Sequence, residues 1–300
     1  MEHKQEFIFQ CPVCNSKKLE DRLQLNDEFL SKKTFVIQKC GECGFLFTNP
    51  RPKKDQISAY YKSEDYISHS NKSNGLFASL YQLSRKINLS AKYSIISRHS
   101  KNGKALDIGS GTGHFLNYLQ KKKWNVQGIE PDENAAKFAR ANFNLQIDSE
   151  KELSVLEKKS FDLISMWHVL EHVHDLNQRM TEIRELIKQD GLVILALPNP
   201  ESFDAKHYVK FWAAYDVPRH LYHFTKKDIL HLAEKHNFKI EKIYPMYLDA
   251  FYVSLLSEKY LGKKRSLLRA IYVAIRSNCI SSSRNPNTSS LIYLLRPNQA

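Results

Sequence analysis

The stretch Leu106-Asp-Ile-Gly-Ser-Gly-Thr-Gly113 decides the fold of this chain. An apolar strand, Lys104–Ile108, leads into it, and Phe115–Lys122 follows with the composition of a helix. Glycines at alternate positions let the backbone turn tightly and approach a ligand, because no side chain stands in the way. The stretch therefore predicts a strand–loop–helix unit whose backbone binds a nucleotide-like ligand.

After this loop the chain alternates between short apolar runs and helix-like segments. Such alternation predicts an α/β fold, a doubly wound parallel sheet with helices on both faces. The further expected strands are Trp124–Glu130, Leu145–Asp148, Phe161–Trp167, Gly191–Leu197, Phe238–Tyr247 and Leu291–Leu295. The further expected helices are Glu133–Asn142, a loop-to-helix segment from His168 to Ile187, and Thr225–His236.

Two acidic residues frame the glycine loop. Asp107 lies two residues before Gly109, and Glu130 lies 17 residues past Gly113 at the end of the second strand. A carboxylate at Glu130 can accept both hydroxyls of a ribose. A carboxylate at Asp107 repels a pyrophosphate and attracts a cation, and the loop lacks the Lys-Ser/Thr pair of a phosphate-binding loop. The pattern favours S-adenosylmethionine (SAM), which has a cationic amino-acid portion, over NAD.

Four segments resemble the class I SAM-dependent methyltransferases, over about residues 100–245. They are LDIGSGTG (106–113), GIEPDENAAKFAR (128–140), FDLISMWHVLEHVHD (161–175) and GLVILALPN (191–199). The resemblance implies a Rossmann-like seven-stranded sheet whose antiparallel seventh strand is Leu291–Leu295. It also implies a set of residues that line the cofactor: Asp107, Gly109, Ser110, Gly111, Gly113, Glu130, Asp148, Met166 and Trp167, with His168 next in the chain.

A cluster of polar residues follows the strand Phe161–Trp167. His168, Glu171 and His172 are spaced so that they would share one face of a helix, a spacing that suits metal ligands. If the acceptor is a hydroxyl, His168 or His172 is the candidate general base, because an imidazole titrates near neutral pH. The alternative is that Glu171 orients loops while His172 caps and packs.

Two known metal motifs resemble this cluster. Some small-molecule and RNA 2′-O-methyltransferases have a Glu-x-x-Glu-His divalent-metal site, but His168 replaces the first acid here, which puts metal binding in doubt. The string HxxEH also occurs in metallopeptidases. Its place on a strand-to-helix turn of a nucleotide-binding fold disfavours that function.

A second polar cluster lies between Asp216 and Thr225, beyond the fifth strand. Ligands bind at this edge of such sheets, so the cluster predicts a site for a flat or sugar-like substrate. The predicted substrate-binding residues are Trp212, Arg219, His220, Tyr222 and His223. The alternative is that this loop packs on the rim of the sheet and caps a helix, with Thr225 as N-cap and Asp228 in its first turn.

Four of the five cysteines form two Cys-x-x-Cys pairs, separated by 25 residues. The pairs are Cys11/Cys14 and Cys40/Cys43, and they predict a zinc ribbon with four thiolate ligands. Such a structural Zn²⁺ has no open position for a reacting water, so it would stabilise the fold and not catalyse. Disulfides and redox-active thiols are the alternatives, and a cytoplasmic location disfavours disulfides.

The predicted organisation has four parts. These are a zinc ribbon over 1–50, a helical bridge over 51–98, a SAM-binding core over 99–248, and a basic helical insertion with the last strand over 249–300. No apolar run approaches the ~20 residues that cross a bilayer, and the first residues lack the apolar core of a signal peptide. We therefore expect a cytoplasmic protein.

The chain has 45 Lys and Arg against 32 Asp and Glu, a net charge of +13. Such an excess favours anionic partners, although a diffuse basic surface gives the same count. Between Asp249 and Ser290, basic residues punctuate apolar ones. This pattern fits either a lid helix on the core or a peripheral helix that lies on an anionic membrane.

Together these features predict a SAM-dependent methyltransferase that acts on a small-molecule or glycan-precursor acceptor, on oxygen. The ribbon and the RHLYHFT segment (219–225) resemble bacterial methyltransferases associated with surface polysaccharide and secondary metabolism. An RNA methyltransferase is an alternative, because the charge suits nucleic acid, although no base-reading motif is present. A non-catalytic scaffold is a third interpretation, which the intact acid–glycine loop disfavours.

Overall fold

The structure is a computed structural model that describes residues 5–61, 76–262, 266–282 and 284–298, with the side chains of 76–84 excepted. Part of the predicted helical bridge and the basic run Lys263-Lys264-Arg265 lie outside the described residues. The strands are β1 (Gln5–Glu6), β2 (Leu19–Asn26), β3 (Thr34–Cys40), β4 (Leu46–Thr48), β5 (Arg51–Pro52), β6 (Lys104–Ile108), β7 (Asn125–Ile129), β8 (Gln146–Asp148), β9 (Phe161–Trp167), β10 (Ile187–Pro198), β11 (Tyr222–His223), β12 (Phe238–Met246) and β13 (Ser290–Pro297). The α-helices are α1 (Leu76–His99), α2 (His114–Lys121), α3 (Glu133–Phe143), α4 (Leu176–Leu186), α5 (Phe203–Tyr208), α6 (Lys226–Lys235), α7 (Asp249–Tyr260) and α8 (Leu267–Ile280).

Seven strands form the central sheet, in the order β8–β7–β6–β9–β10–β13–β12. The five strands from β8 to β10 are parallel, whereas β13 runs antiparallel to both of its neighbours. The middle of β10, Leu192–Leu197, is buried throughout, as expected for a strand covered by helices on both faces. The predicted α/β methyltransferase sheet is therefore confirmed, including its antiparallel last strand.

Side-chain caps begin four of the described helices, α3, α5, α6 and α8. Helix α6 begins with a reciprocal capping box between Thr225 and Asp228, as the sequence predicts. Helix α3 begins where the Asp132 carboxylate accepts the Ala135 N–H at 2.8 Å, and it ends at Asn144 in the left-handed conformation. The predicted bounds of these two helices differ from the observed ones by no more than one residue at either end.

Two predicted helical regions differ from the structure. The segment after β9 first forms a short 3₁₀ turn, Leu170–His172, and helix α4 starts only at Leu176. His168, Glu171 and His172 therefore do not share the face of one α-helix. The basic insertion contains two helices, α7 and α8, where the sequence analysis describes one.

The N-terminal ribbon is a four-stranded antiparallel sheet in the order β2–β3–β4–β11. Its fourth strand comes from the far side of the core sequence, because Tyr222 pairs with Phe47 and His223 with Leu46. The ring of Phe45 lies 5.4 Å from that of Phe224, between their centroids. The predicted boundary at residue 50 therefore does not separate two independent sheets.

None of the helices in the described ranges is long and apolar enough to cross a membrane.

Candidate active site

The glycine loop joins β6 to α2, and its three glycines all have positive φ angles. A Cβ on Gly109 would lie 2.4 Å from a methyl carbon of Val169, and one on Gly113 would lie 2.7 Å from Cβ of Ala139. Gly111 is different, because a Cβ there would meet no atom within 4 Å. The outer glycines thus permit close packing. Gly111 leaves open space beside the backbone of the loop, which we call the cradle.

Asp107 is buried at the carboxyl end of β6, between the adjacent strands β7 and β9. Its Oδ1 accepts the Ser165 hydroxyl at 2.6 Å. Burial raises the pKa of Asp107 to about 7, although Ser165 and the ammonium of Lys92 favour the charged form. Burial likewise lowers the pKa of Lys92 to about 8, against the pull of Asp107 and Asp249. Lys92 belongs to α1, so the helical bridge contributes a charge to this site.

Glu130 lies just past the end of β7 and faces the glycine loop. Its Oε2 accepts the Gly111 N–H at 2.6 Å, and its Oε1 accepts the Asp132 N–H at 2.8 Å. Burial raises the pKa of Glu130, and these two hydrogen bonds oppose the rise. The carboxylate is held beside the open cradle, as the sequence predicts.

The remaining predicted cofactor residues lie along the same edge of the sheet. Asp148 ends β8, where its Oδ2 accepts side-chain amides of Gln127 and Gln146 at 2.7 and 3.0 Å. Met166 is fully buried in the core. The Trp167 ring is half-buried on the opposite face of β9, with the Lys92 ammonium 4.0 Å from its centroid.

Two buried polar atoms beside the loop lack a partner among the residues described. They are the hydroxyl of Ser110 and the indole N–H of Trp167. Buried polar groups are nearly always hydrogen-bonded, so such atoms indicate a bound molecule or water. Both lie where the sequence predicts cofactor contacts.

His168 has a φ of +56° at the end of β9, a conformation that non-glycine residues rarely adopt. Its Nε2 lies 2.9 Å from Oδ2 of Asp249, and its Nδ1 lies 3.4 Å from Oε1 of Glu171. Burial would lower the pKa of His168, but the two carboxylates raise it to about 10. An imidazolium has no lone pair for a substrate proton, and this disfavours His168 as the general base.

Glu171, His172 and His220 lie together, with one ligand atom from each within 4.8 Å of the others. Burial lowers the pKa of His172 to about 4, with a further contribution from His220. His172 is therefore a neutral imidazole at neutral pH. Glu171 is fully buried, and its pKa is lowered because the three histidines around it outweigh burial.

The other residues predicted to bind substrate lie in the interface between the ribbon and the core. The Arg219 guanidinium is buried, with Nη2 2.9 Å from Oδ1 of Asp27 and 2.6 Å from Oδ1 of Asp216. The Tyr222 hydroxyl donates to the His174 carbonyl at 2.8 Å and accepts from Arg51. The contacts of Arg219 and Tyr222 are structural ones.

Two further members of this set are also buried. His223 is enclosed on β11, and burial lowers its pKa to about 3. The Trp212 indole N–H donates to Asp204 at 2.7 Å. Of the five predicted substrate residues, only His220 therefore lies with the candidate catalytic groups.

The four ribbon cysteines converge as predicted. Sγ of Cys11 lies 3.5 Å from that of Cys43, and Sγ of Cys14 lies 3.5 Å from that of Cys40. These distances exceed a disulfide bond of about 2 Å. They fit four thiolates around a single tetrahedral ion.

Sequence reasoning missed three charged partners: Asp27, Lys92 and Asp249. Lys92 and Asp249 reach the site, and Asp27 reaches the ribbon–core interface, from elements distant in the chain, and none belongs to a recognisable motif. The burial of Asp27 in the β2–β3 turn could not be read from its turn-like sequence.

Comparison with known proteins places this site in a family. The sequence profile described as "Methyltransferase domain" matches residues 78–243, more than half of the chain. A ubiquinone biosynthesis O-methyltransferase of Pelagibacter ubique is 25% identical over 154 residues, which are 48% of this chain and 64% of the relative. A tRNA (uracil(54)-C(5))-methyltransferase of Pyrococcus abyssi is 29% identical over 160 residues, 50% of this chain and 35% of the relative. The chain thus spans less than two thirds of either relative.

A solved complex of the Trm112 methyltransferase activator with a methyltransferase from Haloferax volcanii contains a similar fold. It matches with a TM-score of 0.52 and 13% identity, over 71% of this chain and 90% of the matched chain. At this identity the likeness concerns the fold alone. The profile match, the sheet order and the glycine loop between two acids agree with one another, and the chain belongs to the methyltransferase-domain family.

Proposed function

We propose that the protein is a SAM-dependent methyltransferase that transfers a methyl group to a hydroxyl of a small molecule or glycan precursor. The observation that carries this proposal is the open glycine loop between the carboxylates of Asp107 and Glu130. Membership of the methyltransferase-domain family supplies the reaction class. The acceptor and the oxygen target go beyond the family match.

The residues of the cofactor edge fit SAM. Gly111 leaves space beside the backbone, and Ser110 and Trp167 offer buried polar atoms that need a partner. Asp107 would face the cationic amino-acid portion, and Glu130 would accept ribose hydroxyls. When bound, SAM supplies a methyl group already activated for displacement. The protein then needs mainly to hold and orient the acceptor.

The acceptor side begins where β9 ends. Asp249 and Glu171 hold the His168 imidazolium from two directions, which fixes the chain at its strained φ angle. The neutral His172 and the carboxylate of Glu171 are the groups that can act on the proton of a hydroxyl. We propose these two as the acceptor-activating residues.

Charge and packing support a small acceptor over RNA. The carboxylates of the buried Glu171 and the half-buried Asp249 on this side would repel a phosphate backbone. The ribbon is joined to the core through β11 and forms part of the same body instead of a separate arm. The similarity to an O-methyltransferase supports oxygen as the target, while the net charge of +13 and the tRNA methyltransferase relative keep RNA as the rival acceptor.

A methyl-transfer screen tests the proposal. Phenols, nucleotide-sugars and RNA would each be incubated with SAM and the full chain, and products identified by mass spectrometry. We expect methylation of a small hydroxyl acceptor by the wild type and loss of it in Asp107→Asn. Methylation of RNA alone would overturn the acceptor proposal. Absence of SAM binding by calorimetry in a folded protein would instead indicate a non-catalytic scaffold.

We also propose that the cysteine cluster binds one structural Zn²⁺ (Cys11, Cys14, Cys40 and Cys43). Elemental analysis should find zinc in the wild type, and Cys14→Ser should lose it together with thermal stability. Zinc retained at the wild-type level by Cys14→Ser would contradict a four-thiolate site.

A further inference from the structure

Glu171 is a buried carboxylate in the 3₁₀ turn after β9. Its side chain is 0% exposed, and neither oxygen accepts a hydrogen bond from the residues that the structure describes. The nearest cationic nitrogen, Nδ1 of His168, lies 3.4 Å from Oε1, which is long for a hydrogen bond. A buried carboxylate is costly unless it is paired or coordinates a metal. A single imidazolium at this distance does not fully offset the cost of burying the Glu171 carboxylate.

Two histidines beside Glu171 point to the missing partner. The rings of His172 and His220 meet edge to face, with centroids 4.6 Å apart. Nδ1 of His220 lies 2.8 Å from the carbonyl oxygen of Ala214, and Nδ1 of His172 lies 3.0 Å from that of Arg219. A carbonyl oxygen only accepts, so these contacts favour a proton on each Nδ1, with the Tyr61 hydroxyl, 2.8 Å from Nδ1 of His172, as a further acceptor for that proton. Nε2 of each ring then carries a lone pair.

The cluster therefore consists of one carboxylate and two imidazole nitrogens, and all three groups are acceptors. They offer no proton of their own to share, yet one ligand atom from each lies within 4.8 Å of the others. Histidines that bind metals commonly donate their second N–H to a backbone carbonyl, which is the arrangement at both rings here. A cation at the centre would satisfy all three acceptors at once.

We propose that Glu171, His172 and His220 bind a divalent first-row transition-metal ion, separate from the ion of the cysteine cluster. Two imidazoles with one carboxylate suit Mn²⁺, Fe²⁺, Co²⁺ or Zn²⁺ better than Mg²⁺ or Ca²⁺, which prefer oxygen ligands. Three protein ligands leave coordination positions open for a substrate atom. The site is thus of the open kind.

The backbone holds the ligands in place before any ion arrives. The Leu221 N–H donates to the Glu171 carbonyl at 2.7 Å, which ties the 3₁₀ turn to the loop that carries His220. The Thr48 hydroxyl donates to the His220 carbonyl at 2.8 Å from the ribbon side.

The role of the ion rests on the proposed function, whereas its binding does not. A metal-bound hydroxyl loses its proton far more readily than a free one, so the ion would activate the acceptor oxygen. His172 would then act as a ligand and not as a base. Glu171 and His172 keep their place as the acceptor-activating residues.

Manganese titration tests the site without SAM or acceptor. Protein whose ribbon is loaded with zinc would be titrated with Mn²⁺, and free Mn²⁺ followed by electron paramagnetic resonance. We expect wild type to bind one Mn²⁺ per chain, and Glu171→Gln and His220→Ala to bind at least about tenfold more weakly. Glu234→Gln and His231→Ala, matched changes on α6, should bind like wild type.

Thermal unfolding gives a second readout. Mn²⁺ should raise the unfolding temperature of wild type and leave that of Glu171→Gln unchanged, because only the ligated native state gains from binding. Equal Mn²⁺ affinity in wild type and Glu171→Gln, or no Mn²⁺ binding in wild type, would overturn the proposal. A Glu171→Gln variant that is more stable than wild type in the presence of Mn²⁺ would also overturn it. That result would mean that the introduced amide donates to the imidazoles and that no cation is needed there. A failed methyl-transfer screen would leave these results unchanged.

Discussion

The cofactor side and the acceptor side of this sheet are built in different ways. The cofactor side comes from one continuous segment, because Asp107, the glycine loop and Glu130 all lie within one strand–helix–strand unit. The acceptor side brings together residues far apart in the chain, such as Glu171 and His220. The loop that carries His220 is held in turn by the interface pair of Arg219 and Asp27, which are separated by 192 positions. A local site can be read from a motif, whereas a distributed one depends on the whole fold being correct.

We expect the largest effect on stability from a substitution at Asp27. Its carboxylate is fully buried, accepts N–H groups of its own turn and pairs with Arg219 across the ribbon–core interface. Asp27→Ala should lower the free energy of unfolding by about 3–5 kcal/mol, because it breaks a buried ion pair. Urea denaturation measures this loss, and SAM affinity should stay unchanged in native buffer.

Asp21→Ala is the matched control on the neighbouring exposed strand. Its carboxylate accepts one exposed amide hydrogen bond, so its loss should stay below about 1 kcal/mol. Similar losses at both positions would mean that the interface ion pair contributes no more to the free energy of unfolding than an exposed hydrogen bond does. A loss of SAM affinity in Asp27→Ala would show that the two sides are not separate.

Two alanine substitutions in the glycine loop test how the cofactor side is built. Gly109→Ala combines a positive φ with a Cβ 2.4 Å from Val169, and should lower stability by about 2–4 kcal/mol. Gly111→Ala has the positive φ but open space, so it should lose only about 1–2 kcal/mol. Both should weaken SAM binding. Equal losses of stability in urea denaturation for the two variants would contradict the view that Gly109 is needed for packing and Gly111 only leaves open space.

The ionisation of Asp107 predicts a pH dependence of cofactor binding. Burial raises the pKa of Asp107 to about 7, so the carboxyl is mostly neutral below that pH and mostly charged above it. A cationic ligand should therefore bind about tenfold more tightly at pH 8 than at pH 6. Calorimetric titration of SAM measures this, and Asp107→Asn should bind weakly without the rise. A rise that persists in Asp107→Asn would assign it to another group.

The smallest effect concerns the hydrogen bond that ties the ribbon to His220. Thr48→Val keeps the shape of the side chain but leaves the buried His220 carbonyl without the Thr48 hydroxyl. We expect a loss of about 1–2 kcal/mol in the free energy of unfolding. The zinc content should match that of wild type. A loss of zinc would mean that the ribbon depends on this contact for its own fold.

Much of the fold followed from the sequence, because its signals are local. The strands Lys104–Ile108 and Phe161–Trp167 have their predicted bounds. Apolar runs bounded by glycine or polar turns give such strands clear limits. Strand β10 is longer than predicted because Ile187 pairs with Phe161 across a register shift, which apolar composition does not reveal.

The acceptor side was predicted only in part, for physical reasons. His172 and Glu171 are neighbours in sequence, but their third companion is His220 and not His168, because the chain makes a 3₁₀ turn instead of an α-helix. Arg219 looks like a ligand-binding residue in sequence, yet two carboxylates neutralise it inside the interface. Such partners are set by tertiary packing, which residue spacing does not encode.

The position of β13 constrains how the protein is made. This strand is later in the chain than β12, yet it lies between β12 and β10 in the sheet. During synthesis, β12 emerges from the ribosome with no neighbour to pair with until residues 290–297 follow. The edge of β10 that β13 covers likewise has no partner on that side until some ninety further residues have been translated. We expect ribosome-bound chaperones to bind the unpaired edge during this interval.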